Sequence, residues 1–196
     1  MLQFVAKSSE RYSVAEQAQM AIEGGVKWVI FDPESLPDDA VRDTLTELVP
    51  LCRENETILS IVDHTEAARE MHIHGVQLSS AASATEVREQ LGPEAIIGVC
   101  VGGASGIEAL RGKDMDYFVL PADCTLENIA LIVNQVRSQG DRTAIVARGD
   151  YDVMEIDVVM VTGVSGVQLG SSIADAPDPV EATSRAMDIL HRSDTL

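Results

Sequence analysis

The side chains best suited to chemistry in this chain follow directly on short apolar runs. Arg148 and Gly149 stand after one such run, and Gly170, Ser171 and Ser172 after another. Together they offer a fixed cation, glycines that let backbone N–H groups approach an anion, and hydroxyl donors. A short helix beginning near Ser172 would add the positive end of its dipole, so the set suits a phosphate. Read without the arginine, Gly-Ser-Ser is equally a strand-to-helix turn. Asp32, Glu34 and Asp63 carry oxygen ligands that could hold a divalent cation if they converge. Asp32 precedes Pro33 and Asp63 precedes a helical pattern, so turn and N-cap roles are the alternative. His64, next to Asp63, could move a proton near neutral pH. Lys7 and Asp123 complete the set of charged residues at run ends. His72 and His74 flank a helix end and read as structural. No serine sits in a Gly-x-Ser-x-Gly elbow, and the glycines of GVCVGGASG lack the dinucleotide-binding spacing.

Positioning these groups requires an ordered set of elements. Apolar runs of strand length cover Leu2–Ala6, Trp28–Phe31, Ile58–Val62, Gly75–Leu78, Ile96–Val99, Tyr117–Leu120, Thr143–Ala147 and Gly166–Leu169. Amphipathic stretches alternate with them at Val14–Glu23, Asp38–Glu54, Thr65–His72, Ala84–Leu91, Gly106–Arg111, Leu126–Ser138, Val153–Val161 and Pro179–Leu190. Ser13 with Glu16 and Thr125 with Asn128 mark helix starts, and Gly24, Gly92 and Gly140 stand just past helix ends. The segment VMEIDVVMV is rich in β-branched residues and suits a strand by propensity; the alternating rhythm assigns it to a helix.

Strictly alternating β and α elements fit either an open doubly wound sheet or a closed (β/α)8 barrel. The count favours a single compact (β/α)8 TIM barrel over residues 1–196, a minimal one with short loops. GVQLSS at Gly75 and GVQLGSS at Gly166 echo each other four βα units apart, as a duplicated half-barrel would, although a matched tetrapeptide can also arise by coincidence. In a barrel Lys7, Asp32, Glu34, Asp63, His64, Asp123, Arg148, Gly149, Gly170, Ser171 and Ser172 lie at the C-terminal ends of the strands, where active sites form.

Composition limits the partners. The chain has 14 Lys+Arg against 32 Asp+Glu, a formal charge of −18, which repels nucleic acid and anionic membrane surfaces. Its three cysteines form no Cys-x-x-Cys pair, and a reduced, cytoplasmic protein is expected. The first residues lack a signal-peptide pattern, and no stretch reaches the length of a membrane-spanning helix.

With the strands placed, EGGVKWVIF, EAAREMHIHGVQL, LGPEAIIGV, MDYFVLP and GVQLGSSI resemble the thiamine phosphate synthase and thiazole tautomerase (TenI-like) superfamily of small phosphate-binding barrels, over nearly the whole chain. The resemblance implies that Gly149, Gly170 and Ser171 hold the phosphate of a thiazole or thiamine phosphate, that Asp63 is a ligand for Mg2+, and that such barrels pair as homodimers. Where the family carries a Gln-Leu-Arg-x-Lys stretch, this chain has Ile30-Phe31-Asp32-Pro33-Glu34. Two carboxylates then stand where a pyrophosphate would depart, at a cost on the order of 1 kcal/mol per contact. The expectation is a divergent barrel that binds a phosphorylated small molecule of thiamine biosynthesis, with Asp63 and His64 as its catalytic pair. The alternatives are a non-catalytic or regulatory paralogue and an active synthase with a rearranged site.

Overall fold

Side chains on a strand alternate faces, and each strand here spends one face on helices and the other on a barrel interior. The computed structural model describes residues 1–34 and 36–193. Its strands are β1 (Leu2–Lys7), β2 (Trp28–Asp32), β3 (Ile58–Val62), β4 (Gly75–Leu78), β5 (Ile96–Cys100), β6 (Tyr117–Leu120), β7 (Ala144–Arg148) and β8 (Gly166–Leu169). All pair in parallel with their neighbours in chain order, and β8 closes on β1. Around this closed (β/α)8 TIM barrel run α1 (Val14–Glu23), α2 (Asp38–Glu54), α3 (Thr65–Glu70), α4 (Ala84–Leu91), α5 (Ala104–Ala109), α6 (Leu126–Ser138), α7 (Ile156–Val161), α8 (Ser171–Ala174) and α9 (Pro179–Ser193). None of the described helices is long and apolar enough to cross a membrane.

Outward strand residues such as Phe4, Phe31, Ile61, Val76, Ile97 and Leu169 join the helices in the main apolar core. Inward residues are of another kind. Tyr117, Val119 and Val146 form a separate apolar cluster with Met1 and Trp28, and beside it lies a buried layer of amides from Gln3, Gln77 and Gln168. Gln168 donates to Gln77 (2.7 Å) and to Gln3 (2.9 Å), and the Tyr117 hydroxyl donates to the Gln77 carbonyl oxygen (3.2 Å). Gln77 and Gln168 are the third residues of the two GVQL segments, so the echo is a cross-barrel pair joining strands half a turn apart. Each segment's glycine has a matching reason. A Cβ on Gly75 would lie 2.0 Å from the Ile96 carbonyl oxygen, and one on Gly166 would lie 2.3 Å from that of Met1.

The structure extends several strands beyond the ranges read from sequence. Lys7, Asp32, Cys100 and Arg148 belong to the ladders, with Lys7 paired to Asp32 and Arg148 to Gln168. Their side chains are therefore set by the sheet and not by loops. The β-branched segment is helical, as the rhythm required, but opens with a 3-10 turn at Val153–Glu155. Asp152 accepts from Met154 and Glu155 accepts from the Asp152 amide, each at 2.8 Å, a capping box that starts the helix against its propensity. The helix read at Gly106–Arg111 lies at Ala104–Ala109, and the one read at Thr65–His72 stops at Glu70.

Candidate active site at the barrel mouth

The C-terminal ends of β1, β2, β7 and β8 surround a hollow of about 160 Å³ lined by Lys7, Asp32, Arg148, Gly149, Gly170 and Ser171, with Val5, Gln168, Ala122 and Asp150 completing it. Four of the five residues expected to hold phosphate thus converge. Gly149 follows β7 and its N–H donates to the carbonyl of Gln168 on the next strand (3.3 Å). Gly170 is the N-cap of α8, where a Cβ would press to 3.2 Å from the Val5 carbonyl oxygen, so the helix start sits close against β1. Behind it, the Arg11 guanidinium donates to the carbonyls of Asp175 and Ala176, and the buried Gln17 amide donates to Lys7 O and Tyr12 O. These bonds fix the β1–α1 loop beneath the rim.

Every cation of the hollow has an acidic neighbour. Arg148 lies 3.9 Å from Asp32, and Lys7 lies 3.2 Å from Glu34. Ser171 donates its hydroxyl to Asp150 at 2.7 Å. Asp32 also accepts from the Glu34 amide (3.1 Å), which holds Glu34 in a left-handed conformation, φ 52°. Cys100, at the end of β5, reaches inward to the Gln77 amide. Burial pushes its thiol pKa up, Arg148 pulls it back in part, and Asp63 and Asp32 push it further up. Asp63 and Asp32 are therefore both electrostatic neighbours of one thiol at the mouth.

Asp63 and His64 are adjacent but turn to another side. With Asp38, Arg42, Thr65, Glu66 and Gln90 they line a separate hollow of about 320 Å³ beside α2 and α3. Asp63 has φ 58°, and its carboxylate accepts from the Ser79 amide (2.8 Å), tying the end of β3 to the end of β4. Ser172 also departs from the anion hollow. Its hydroxyl is buried without a partner and faces a crevice formed with Asp152, Met154, Ala176 and Asp178. Asp123 is exposed in the loop after β6, beside Cys124, whose pKa burial and Asp123 both raise. Among the described residues no group of three or more His, Cys, Asp or Glu side chains is gathered as a metal site would require.

The family model described as thiamine monophosphate synthase matches residues 2–173. The chain belongs to this family. A thiamine-phosphate synthase of Bacteroides fragilis is 33% identical over 96% of this chain and 98% of its own length, and one of Bacteroides thetaiotaomicron is 29% identical over 96% of each. Among solved structures, the thiamine phosphate pyrophosphorylase of Pyrococcus furiosus superposes with a TM-score of 0.86, at 23% identity, over 98% of this chain and 96% of that one.

Within this thiamine monophosphate synthase family member, Asp150 and Gln168 line the candidate hollow and Cys100 interacts with Arg148 beside it, although reading by loop position passes over them or leaves them unassigned. Strand parity carries a signal for Gln168. It shares a face with Gly170 two residues on, and with Gln77 in the matching strand, so it must point inward. No sequence signal reveals that Asp150 would take the Ser171 hydroxyl.

Proposed function

We propose that this barrel binds a phosphorylated small molecule of thiamine biosynthesis, with the phosphate seated between β7 and β8. The observation that carries the reading is the convergence of Arg148, Gly149, Gly170 and Ser171 on one hollow. The arginine supplies bidentate, permanently charged donors, the glycines leave room for an oxyanion to approach, and the Ser171 hydroxyl would reach it on turning from Asp150. A hollow of about 160 Å³ is smaller than the roughly 300–1,000 Å³ that enclose a whole small ligand. It therefore holds the phosphate end, and the organic part lies over the open mouth towards Asp32 and Cys100.

The catalytic assignment in this proposal is Asp63, with His64 beside it. The Coulombic influence of Asp63 reaches Cys100 at the mouth, whereas the hollow lined by His64 opens between α2 and α3. Mg2+ is usually held by one or two carboxylates together with substrate phosphate oxygens and water, so the sparse donor set fits it in that mode. Asp63 would be its protein ligand, and in the transfer reaction the ion would neutralise charge on the departing pyrophosphate. The three cysteines are free thiols, which supports action in the cytoplasm.

Thermal unfolding of the purified protein tests the binding. Inorganic phosphate, thiazole phosphate and thiamine phosphate at millimolar concentration should each raise the melting temperature by mass action, and Arg148→Ala should remove the rise. No rise with any of the three ends the reading. A second reading, transfer of a pyrimidine to thiazole phosphate with release of pyrophosphate, is favoured by the 33% identity to the Bacteroides fragilis synthase. Incubation with both precursors and Mg2+ decides it through pyrophosphate release. Ligand shifts without pyrophosphate would leave a divergent or regulatory binder.

A further inference from the structure

We propose that the hollow between β7 and β8 selects an anion that still carries a proton, and that Asp150 is the residue that selects it. This rests on the phosphate reading of the hollow and adds the ionic form of the ligand. A carboxylate accepts hydrogen bonds and donates none, and a serine hydroxyl has one hydrogen to give. In the Asp150–Ser171 couple that hydrogen is already committed, because Ser171 donates it to Asp150 at 2.7 Å. Both residues line the hollow. If Ser171 keeps its bond to Asp150, its oxygen shows an entering anion only lone pairs. If the hydroxyl turns to the anion, the Asp150 carboxylate stands beside that anion without its donor. In either arrangement an acceptor is set against the ligand, and only a hydrogen on the ligand can meet it. A P–OH group brings that hydrogen, and a fully ionised oxyanion does not.

The remaining lining points the same way. Lys7 from β1 and Arg148 from β7 are the cations of the hollow, and Asp32 from β2 and Asp150 are its carboxylates, so its formal charge is zero. Glu34, 3.2 Å from the Lys7 ammonium, makes the surroundings more negative. Burial keeps the Cys100 thiol on β5 protonated beside Arg148, and it keeps the Tyr151 phenol protonated against Gly149. The Gly149 N–H is taken by the Gln168 carbonyl, and the Gln168 side-chain amide gives its hydrogens to Gln3 and Gln77. A lining with as many acids as bases suits a singly charged phosphate better than a doubly charged one, because like charges a few ångströms apart repel. Phosphate monoesters lose their second proton near pH 6, so at neutral pH the singly charged form is the minor one. Binding it draws a proton from solvent, which then lies between Asp150 and a phosphate oxygen. Sulfate has the same shape and brings no proton at neutral pH.

Titration calorimetry of the full chain without added metal tests this, with thiazole phosphate, inorganic phosphate and sulfate as probes. Repeating each titration in two buffers of different ionisation enthalpy counts the protons exchanged. At about pH 7.5 close to one proton should be taken up per thiazole phosphate bound, and the affinity should be about twentyfold tighter at about pH 5.5. Sulfate should bind at least about tenfold more weakly than inorganic phosphate at about pH 6, the loss expected for a missing hydrogen bond to a charged group. Asp150→Asn puts a donor where the acceptor was, so proton uptake should fall to near zero and sulfate should bind as well as phosphate. Ser171→Ala keeps the acceptor and should keep the uptake. Phosphate binding by the wild-type protein with no proton uptake, and with sulfate bound equally well, overturns the proposal and leaves the phosphate reading standing. No binding of any phosphate overturns both. A folded Asp150→Asn variant that still takes up a full proton overturns the assignment to Asp150.

Discussion

At the end of β3, Asp63 donates its backbone N–H to the carbonyl of Gln77 on β4 (3.1 Å); at the end of β7, Gly149 does the same to Gln168 on β8 (3.3 Å). The corners are built on the same four residues, GVQL, followed by Ser79 in one and Gly170 in the other. They then diverge. Asp63 turns its own carboxylate onto the Ser79 amide, so that corner satisfies itself with an internal anion. Gly149 has no side chain to do so, and the acid stands one residue later, where Asp150 takes the Ser171 hydroxyl. Space is left beside Arg148. The strand motif therefore builds the wall of both corners, and the residue after the preceding strand decides whether an external anion can enter.

If the two halves share one scheme, their glycines should be indispensable for the same reason and to different degrees. Gly75→Ala forces a methyl to 2.0 Å from the carbonyl of Ile96, a ladder residue. Overpacking costs typically 1–3 kcal/mol, and this site should reach about 3, a fall of roughly 6–12 °C in melting temperature. Gly166→Ala meets the Met1 carbonyl oxygen, which accepts from the Val167 amide (3.0 Å), at a slightly longer 2.3 Å, so a somewhat smaller loss is expected. Equal losses would mean that the two carbonyls are held equally firmly by their neighbouring strands.

The cross-barrel amides give the next effect. Gln77→Leu or Gln168→Leu leaves buried partners unsatisfied and should each cost about 2 kcal/mol in urea unfolding. The double variant should cost less than the sum, because it leaves fewer stranded groups. Strict additivity would show that the pair contributes only as two separate fillers.

Those buried positions are legible in the amino-acid sequence, because strand parity and apolar runs are local signals that depend on the chain alone. The eight strands, the helical reading of Val153–Val161 and the proposed phosphate-binding use of Gly149, Gly170 and Ser171 rest on such signals. Pairing across strands is not legible in this way. That Arg148 faces Asp32 depends on where barrel closure brings β7 relative to β2, and no spacing encodes it. His64 shows the converse: one residue beyond Asp63, it opens α3 and lines the outer hollow, a direction set by the left-handed turn at Asp63.

Gly149→Asp should convert the second corner into the first. The new carboxylate would occupy the anion's place and abolish the thermal response to phosphate, with some loss of stability because its Cβ meets the Tyr151 ring at 2.7 Å. A folded variant that still responds to phosphate would show that the anion sits elsewhere at the mouth.

The smallest effects concern the acids that already compete for the hollow's cations. Asp32→Asn frees Arg148 from a partner 3.9 Å away, in a pair whose side chains are 16% exposed on Asp32 and 42% on Arg148. Ion pairs near the surface contribute up to about 1 kcal/mol, so affinity for inorganic phosphate should rise up to about fivefold by titration calorimetry. Glu34→Gln releases Lys7 from a pair in which both side chains are about half exposed, and the gain should be smaller still. An unchanged or weaker affinity in Asp32→Asn would mean that Asp32 orients Arg148 towards the anion and does not compete with it. The β2 carboxylate would then belong to the phosphate corner as a positioning group.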